Sequence, residues 1–329
     1  PSSGHSGLVL AIVAPGQGAQ SPGMLLPWLE IPGVSDQVDA FSEASGVDIR
    51  RHGSTSGADE IRDTAVAQPL IVSTSLIAFR QLLAGREATA VVDVAAGHSV
   101  GEFAAAAVAG VFEDTSAVAL VSARASFMAT AAAENPSGMT AILGGDPDEV
   151  LAAIAAAGAW PANLNGAGQV VAAGSHESMA VLAANPPAKA RVIPLQVAGA
   201  FHTPLMDSAA QAFAGVAAEW SANDPTTTLL SNADGAALST HAPGAHGFGS
   251  KFDVLTRLAS QIVSPVRWDL CQEQFAALGV TAIIELAPGG VLAGLARRTL
   301  PDVARVAIKS PDDLAAAQQL IAEHSVGAA

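Results

Sequence analysis

Continuous apolar runs, each followed by a glycine-containing turn, recur along this chain of 329 residues. They lie at 8–13, 91–96 and 280–286, and helical patterns follow the first two. Runs of this kind are typical of strands buried on both faces of a parallel sheet. Strands that alternate with helices over most of the chain predict an α/β fold with a mostly parallel sheet.

The stretch from 139 to 201 has a different rhythm. Short strand and helix patterns follow one another there in the order β-α-β-β-α-β, which is the order of a small ferredoxin-like unit. We therefore expect an inserted α+β subdomain at 138–205 within a discontinuous catalytic α/β subdomain at 8–137 and 206–329. The first residues, 1–7, are predicted to be a flexible lead. The strands of the small unit are predicted at 139–143, around 163, at 169–173 and at 191–197, and its helices at 147–157 and 176–184.

Charge and cysteine content narrow the choice of partners. The net charge is −15, and such an acidic protein repels the phosphates of nucleic acids and of anionic membranes. The single cysteine, Cys271, excludes an intramolecular disulfide and is typical of a reducing cytoplasm. No signal peptide is visible, and no unbroken apolar run of about 20 residues predicts a membrane span. We expect a cytoplasmic protein that binds neither nucleic acid nor membrane.

The segment 97–101, Gly-His-Ser-Val-Gly, has the spacing of a nucleophile elbow and makes Ser99 the candidate nucleophile. It follows a predicted buried strand and precedes an alanine-rich helix, predicted at 102–109. The N–H groups at a helix start favour negative charge on a substrate oxygen, and the N–H of Val100 is the natural first oxyanion donor. The elbow predicts a hydrolase-like core. A serine in a purely structural turn is the alternative.

A serine nucleophile needs a base, and His202 is the best placed of the eight histidines. It follows the last predicted strand of the small unit, beside a turn that contains Pro204, where it can face a cleft between two units. A structural histidine is the alternative. Because no Asp or Glu between Ser99 and His202 stands at a predicted strand end, we expect a dyad oriented by a backbone carbonyl.

The other histidines have simpler explanations. His98 is expected to point away from Ser99 and to brace the turn. His176 lies in the first turn of a predicted helix and is expected to be solvated. His241 and His246 share a glycine-rich loop, but they lack acidic or cysteine neighbours at ligand spacing. We predict no metal site.

Several separated blocks together resemble the malonyl-CoA:acyl-carrier-protein transacylases of fatty-acid and polyketide synthesis. The resemblance runs from residue 8 to about residue 308 and looks like the discrete bacterial form, because no ketosynthase or carrier segment accompanies it. The blocks lie at 15–20, 67–69, 97–102, 120–128, 163–171, 199–206, 261–268 and 285–290.

The resemblance implies a reaction and a site. Ser99 would attack the thioester of malonyl-CoA with His202 as general base, and a main-chain carbonyl near Gln261 would orient the histidine. The backbone N–H groups of Gln17 and Val100 would form the oxyanion hole. The malonyl group would then pass to the phosphopantetheine thiol of an acyl carrier protein, with no cofactor, and the enzyme would act as a monomer.

The resemblance further implies that Arg124 binds the free carboxylate of the malonyl group. A guanidinium forms a bidentate pair with a carboxylate and stays charged when buried. In the apolar run at 118–133 an unpaired arginine would be costly, although one that reaches the surface is the alternative. Phe201 resembles the malonyl-selective form of the family and is predicted to crowd the α-carbon of the acyl group. Asn165 and His98 are expected to support the site.

The carrier proteins of the resembled family are acidic, so we expect a local basic patch on this acidic chain. Its candidate members are Lys189, Arg191, Lys251, Arg297 and Arg298.

Three other functions compete. A serine esterase or thioesterase would share Ser99 and His202 but would not need Arg124. A dinucleotide-binding protein is suggested by the glycines at 16 and 18, but Ser21 stands where the fingerprint requires Gly or Ala, and Pro15 and Pro22 crowd the turn. A carrier-docking module without activity is the third.

Overall fold

The computed structural model describes residues 8–239 and 249–326. The predicted lead at 1–7 and the pair His241 and His246 lie outside the described residues. The strands of the described ranges are β1 (Leu10–Ala14), β2 (Val94–Gly97), β3 (Ser137–Gly144), β4 (Trp160–Gly166), β5 (Gln169–Ser175), β6 (Ala190–Pro194), β7 (Thr228–Leu230), β8 (Ala237–Leu238), β9 (Val266–Arg267), β10 (Ala282–Glu285) and β11 (Ala304–Ala307). The α-helices of the same ranges are α1 (Leu26–Leu29), α2 (Val34–Ser45), α3 (Ile49–Ser54), α4 (Thr64–Leu83), α5 (Gly101–Val108), α6 (Asp114–Glu134), α7 (Pro147–Ala156), α8 (His176–Ala184), α9 (Asp207–Ala218), α10 (Lys251–Ser260), α11 (Trp268–Ala277), α12 (Val291–Thr299) and α13 (Leu314–Val326).

The larger sheet has the strand order β11-β10-β1-β2-β7-β8. Every neighbouring pair is parallel except β7 and β8 at one edge, so the predicted α/β fold with a mostly parallel sheet is confirmed. All residues of β1, β2 and β10 are buried, because helices cover both faces. The carboxyl ends of β1, β2 and β10 therefore meet at one edge, the usual place for a site in such a sheet.

The central strands are shorter than the apolar runs that predicted them. The first strand begins at Leu10 rather than at residue 8, and the second begins at Val94 rather than at 91. Residues 88–90 form a 3₁₀ turn, and the Asp93 carboxylate accepts a hydrogen bond from the Leu10 N–H at 2.7 Å. Residues 91–93 of the predicted run thus belong to the connection that precedes the strand.

The smaller sheet has the order β6-β3-β5-β4-β9. Its first four strands are antiparallel neighbours, and α7 and α8 connect them in the predicted order β-α-β-β-α-β, which gives the ferredoxin-like arrangement. β3 begins at Ser137 rather than at 139, and β6 ends at Pro194 rather than at 197. The sequence did not predict β9, which comes from outside the inserted unit and pairs with β4 in parallel.

Helices α4 and α6 pack against each other and against α5, the helix that follows the turn at Ser99. By length and composition alone, both could cross a membrane. In this fold most of the apolar segment of α4 is buried by other elements, as is typical of a core helix. The pair supplies Gln68 and Arg124 to the site described below.

Candidate active site

The chain turns sharply between β2 and α5, and Ser99 stands at that turn. Its φ of +53° is in the left-handed region, which costs a non-glycine residue energy. The glycines on either side allow the turn. A Cβ on Gly97 would lie 2.0 Å from the carbonyl carbon of Gly101, and a Cβ on Gly101 would lie 2.2 Å from the carbonyl oxygen of Ala14. Only glycine fits at either position, as a nucleophile elbow requires.

A serine–histidine pair occupies this turn. The Oγ of Ser99 lies 2.7 Å from the Nε2 of His202, although the two residues are far apart in the sequence. The other ring nitrogen, Nδ1, lies 2.8 Å from the main-chain oxygen of Gln261. Because a carbonyl only accepts, Nδ1 carries the proton and Nε2 presents its lone pair to the serine hydroxyl. The carbonyl thus stands where a carboxylate stands in a catalytic triad.

Burial lowers the pKa of His202 to about 3, and the positive charge of Arg124 adds to this effect. The imidazole is therefore neutral at physiological pH, which is the form that a general base requires.

The guanidinium of Arg124 is buried, with an exposed fraction of 1 %, beside the dyad. One terminal nitrogen donates to the Oε1 of Gln68, and the other donates to the Oε1 of Gln261 at 2.6 Å. The Nε has no partner among the residues described, and no carboxylate there forms a salt bridge with this arginine. Burial lowers the pKa of Arg124 to about 10, so it remains a cation. Its positive charge is available to an anionic ligand.

Ser99, His202 and Arg124 line a cavity of about 80 Å³. Its other walls include Gln68, Phe201 and the sulphur-containing side chains of Met128 and Met139. Two larger clefts, of about 430 and 890 Å³, share Gln17 and Val197 with this cavity. The small cavity suits a short acyl group, and the clefts offer space for a longer carrier of that group.

Gln17 and Val100, the predicted oxyanion donors, both line the cavity. Neither backbone N–H has an acceptor in the described part of the chain. The side chain of Gln17 is held by Thr64, whose hydroxyl donates to the Oε1 of Gln17 at 2.9 Å. The loop after β1 therefore presents a fixed backbone to the site.

The predicted supporting residues connect the small sheet to the turn. The Nε2 of His98 lies 2.8 Å from the Oδ1 of Asn165 on β4, and His98 lines the same cavity as Ser99. The backbone of Asn165 is also fixed, because its main-chain oxygen accepts a hydrogen bond from the Nε2 of Gln272 at 2.8 Å. His176, by contrast, is exposed at the start of α8 and does not contact the dyad.

Three residues form hydrogen bonds to parts of the site, and the sequence did not identify these contacts: Asn232, Gln68 and Glu102. The Oδ1 of Asn232 accepts from the Ser99 N–H at 2.7 Å, and its Nδ2 donates to the Gly97 carbonyl at 2.7 Å. Asn232 follows β7 at the carboxyl edge of the sheet, and this position was the signal that could have revealed it. Gln68 and Glu102 both lie in blocks that carried the family resemblance, but the sequence alone assigned them no contact.

Comparisons with known proteins agree on one family. A family model described as an acyl transferase domain matches residues 12–320. A malonyl CoA-acyl carrier protein transacylase of Mycobacterium tuberculosis (strain H37Rv) is 48% identical over 93% of this chain and 98% of its own length, and one of Escherichia coli K12 is 34% identical over 94% and 99%. The crystal structure of MCAT from M. tuberculosis has a TM-score of 0.88 at 48% identity and covers 94% of this chain and 99% of its own. A malonyl-transacylase in complex with a type II PKS acyl-carrier protein has a TM-score of 0.85 at 28% identity and covers 95% and 99%.

Proposed function

The chain belongs to the acyl transferase domain family, and from this premise we propose that it transfers a malonyl group from malonyl-CoA to the phosphopantetheine thiol of an acyl carrier protein. One observation carries the proposal. A buried arginine without a carboxylate partner among the described residues lines the same small cavity as a Ser–His pair. A thioester whose acyl group carries a free carboxylate matches both the Ser–His pair and the buried arginine.

In the first half-reaction, the Oγ of Ser99 attacks the thioester carbon while its proton passes to the Nε2 of His202. The oxyanion that forms is bound by the backbone N–H groups of Gln17 and Val100. When the intermediate collapses, the carbon–sulphur bond breaks, and CoA leaves as a thiol with the proton from His202. The product is malonyl-Ser99.

In the second half-reaction, His202 takes the proton of the carrier's pantetheine thiol. The thiolate attacks the carbonyl of malonyl-Ser99 and forms a new carbon–sulphur bond. The bond between that carbon and the Oγ of Ser99 breaks, and His202 returns the proton to the serine. The order of events is ping-pong, because CoA leaves before the carrier thiol reacts.

The malonyl carboxylate would bind Arg124 through guanidinium N–H groups that the two glutamines leave free. Phe201, immediately before the base, would limit the space around the α-carbon of the acyl group. His98 and Asn165 would hold the turn in place from the small sheet. The expected result is selection for a small acyl group that carries a negative charge.

We further propose that the chain acts in the cytoplasm as a monomer, with no metal or cofactor. The net charge of −15 disfavours nucleic acid and anionic membranes as partners. The acyl carrier protein is then the macromolecular partner, and it needs a local basic surface.

The intact mass of the protein after incubation with malonyl-CoA tests this function. We expect one malonyl adduct, its loss in Ser99→Ala, and its discharge on addition of a phosphopantetheine-bearing carrier. An adduct that water discharges as fast as the carrier would instead indicate a thioesterase. The absence of any adduct on the native protein would contradict the proposal.

A further inference from the structure

Glu102, the first acidic residue after the elbow, has a buried side-chain carboxyl group that makes no hydrogen bond with the Ser99 hydroxyl, and burial raises the pKa of this group to about 7. One of its oxygens, Oε1, accepts from the Asn232 N–H at 2.7 Å, and the other, Oε2, accepts from the Nε2 of Gln261. Asn232 holds the turn at Ser99, and Gln261 holds both the base and the arginine. This carboxylate therefore bonds to both residues that organise the site.

The donors and acceptors around Gln261 determine the orientation of its side-chain amide. The main-chain oxygen of Ser99 and the ionised form of Glu102 only accept hydrogen bonds, and a guanidinium only donates them. The Nε2 of Gln261 therefore points to Glu102, and its Oε1 points to Arg124. The same Nε2 also donates to the main-chain oxygen of Ser99 at 3.0 Å, which favours the same orientation.

We propose that Glu102 is a positioning residue that sets the acyl specificity of the site, because it fixes the Gln261 amide with its oxygen toward Arg124. The proposal rests on the malonyl transfer proposed above. With this acceptor in place, Arg124 holds a defined position and directs its remaining N–H groups to the acyl carboxylate. With the amide reversed, an NH₂ group would face the guanidinium and displace it.

Glu102→Gln isolates this effect, because glutamine has nearly the same shape but only one acceptor oxygen. The N–H of Asn232 belongs to the backbone and cannot turn away, so the new oxygen will accept from it. The new NH₂ group then faces the NH₂ group of Gln261, and that amide has to rotate. We expect the ratio of malonyl to acetyl loading on Ser99 to fall about tenfold to a hundredfold, as for loss of a hydrogen bond to a charged group.

Charge alone predicts the opposite result. Removal of a negative charge near Arg124 would strengthen an anion site and raise the ratio. A purely structural role predicts a lower melting temperature and an equal loss with both substrates. The direction of the change in the ratio therefore separates the three explanations.

The experiment measures kcat and KM for malonyl-CoA and acetyl-CoA loading in the native protein, Glu102→Gln, Glu102→Asp and Glu285→Gln. Glu102→Asp keeps both acceptor oxygens and should restore part of the ratio. Glu285 is a second buried carboxylate, which accepts from three backbone N–H groups around the start of α12, and its substitution controls for lost stability. We expect Glu285→Gln to lower the melting temperature and to leave the ratio unchanged.

A ratio that is unchanged or raised in Glu102→Gln would overturn the inference. If the native protein loads malonyl normally in that case, the proposed function stands. If the native protein forms no malonyl-Ser99, the proposed function fails, and the inference fails with it.

Discussion

Arg124 carries a buried charge that neutral groups hold in place. Both of its acceptors are glutamine amide oxygens, and its guanidinium carbon lies 5.6 Å from the centre of the Phe103 ring. Two amide oxygens compensate a buried cation less well than a carboxylate does. The arginine thus retains an unmet preference for an anion, which a malonyl group would satisfy.

Arg124→Ala should therefore change the substrate preference as well as the rate. Loss of the partner of a buried carboxylate costs roughly 3–5 kcal/mol, so we expect malonyl loading to fall by a factor of about a hundred to a few thousand. Acetyl loading should rise relative to it. Arg80→Ala, which breaks a partly exposed pair with Asp114, provides the control and should leave the preference unchanged. Intact malonyl loading in Arg124→Ala would disprove the carboxylate role.

His202 links the site to the pH dependence of stability. Burial lowers the pKa of the folded histidine to about 3, whereas the unfolded histidine titrates near the ordinary value of 6.5. The unfolded chain therefore binds the extra proton first. The resulting stability is complete above pH 6.5 and is lost as the pH falls toward 3.

The comparison of the native protein with His202→Asn isolates this contribution. Between pH 7.5 and pH 5, the native protein should lose about 2 kcal/mol more unfolding free energy than the variant, because pH 5 lies 1.5 units below the unfolded pKa. Denaturant unfolding at the two pH values measures the difference. Parallel losses in the two proteins would show that His202 is not held neutral.

The sequence indicated the residues with distinctive chemistry better than those that hold them. Ser99, His202 and Arg124 could be proposed from motif, position and cost of burial, and the structure brings all three to one cavity. Gln261 was proposed only through its main-chain carbonyl, whereas its side chain also bonds to Arg124. Asn232 was missed because its contacts with the turn span more than a hundred residues and leave no local pattern.

At the scale of elements, the tight packing of α5 on the ends of β1 and β2 presents the nucleophile. Gly97 has no room for a side chain, because the next turn of chain lies directly against it. Hydrophobic runs predicted the strands but not their ends, since a run such as 91–96 does not distinguish a strand from the turn before it. The two-residue strand β9 has no periodicity at all, so only pairing with β4 defines it.

Gly97→Ala should disrupt the elbow. Its new Cβ would overlap backbone atoms that cannot move independently, so we expect a loss of at least about 1–3 kcal/mol in stability together with loss of malonyl loading. Gly215→Ala is the matched control, because Gly215 lies exposed in α9 with no atom within 4 Å of a new Cβ. That variant should gain roughly 0.5–1 kcal/mol and keep full activity. Thermal unfolding and the mass of the malonyl adduct measure both effects, and a fully active Gly97→Ala would contradict the elbow.

At the scale of the whole molecule, the two sheets meet at the active site. Residues from both sheets or their adjoining segments line the clefts that lead to it. The chain after β6 continues into Leu195 and Gln196, which line the cleft of about 430 Å³. Helix α12 begins at Val291 and Leu292, which line the same cleft. Of the five basic candidates, Lys189 precedes β6 directly, Arg191 lies in it, and Arg297 and Arg298 lie on α12. Lys251 lies at the start of α10, which does not line the clefts.

This arrangement separates the predicted basic residues into four on elements that border the cleft and one, Lys251, that serves as the control. An acidic carrier that delivers its thiol through the cleft would approach the elements that carry these four basic residues, and opposite charges on the two proteins would favour that encounter. Lys189→Glu with Arg191→Glu should therefore raise the KM for the carrier several-fold and weaken its dependence on salt, while malonyl-CoA loading and kcat stay the same. Lys251→Glu changes the net charge in the same direction and should change neither parameter. If the carrier KM rises equally in Lys251→Glu and in the Lys189→Glu, Arg191→Glu variant, net charge rather than a local patch governs the encounter. If the carrier KM is unchanged in all variants, Lys189 and Arg191 are excluded from the docking surface.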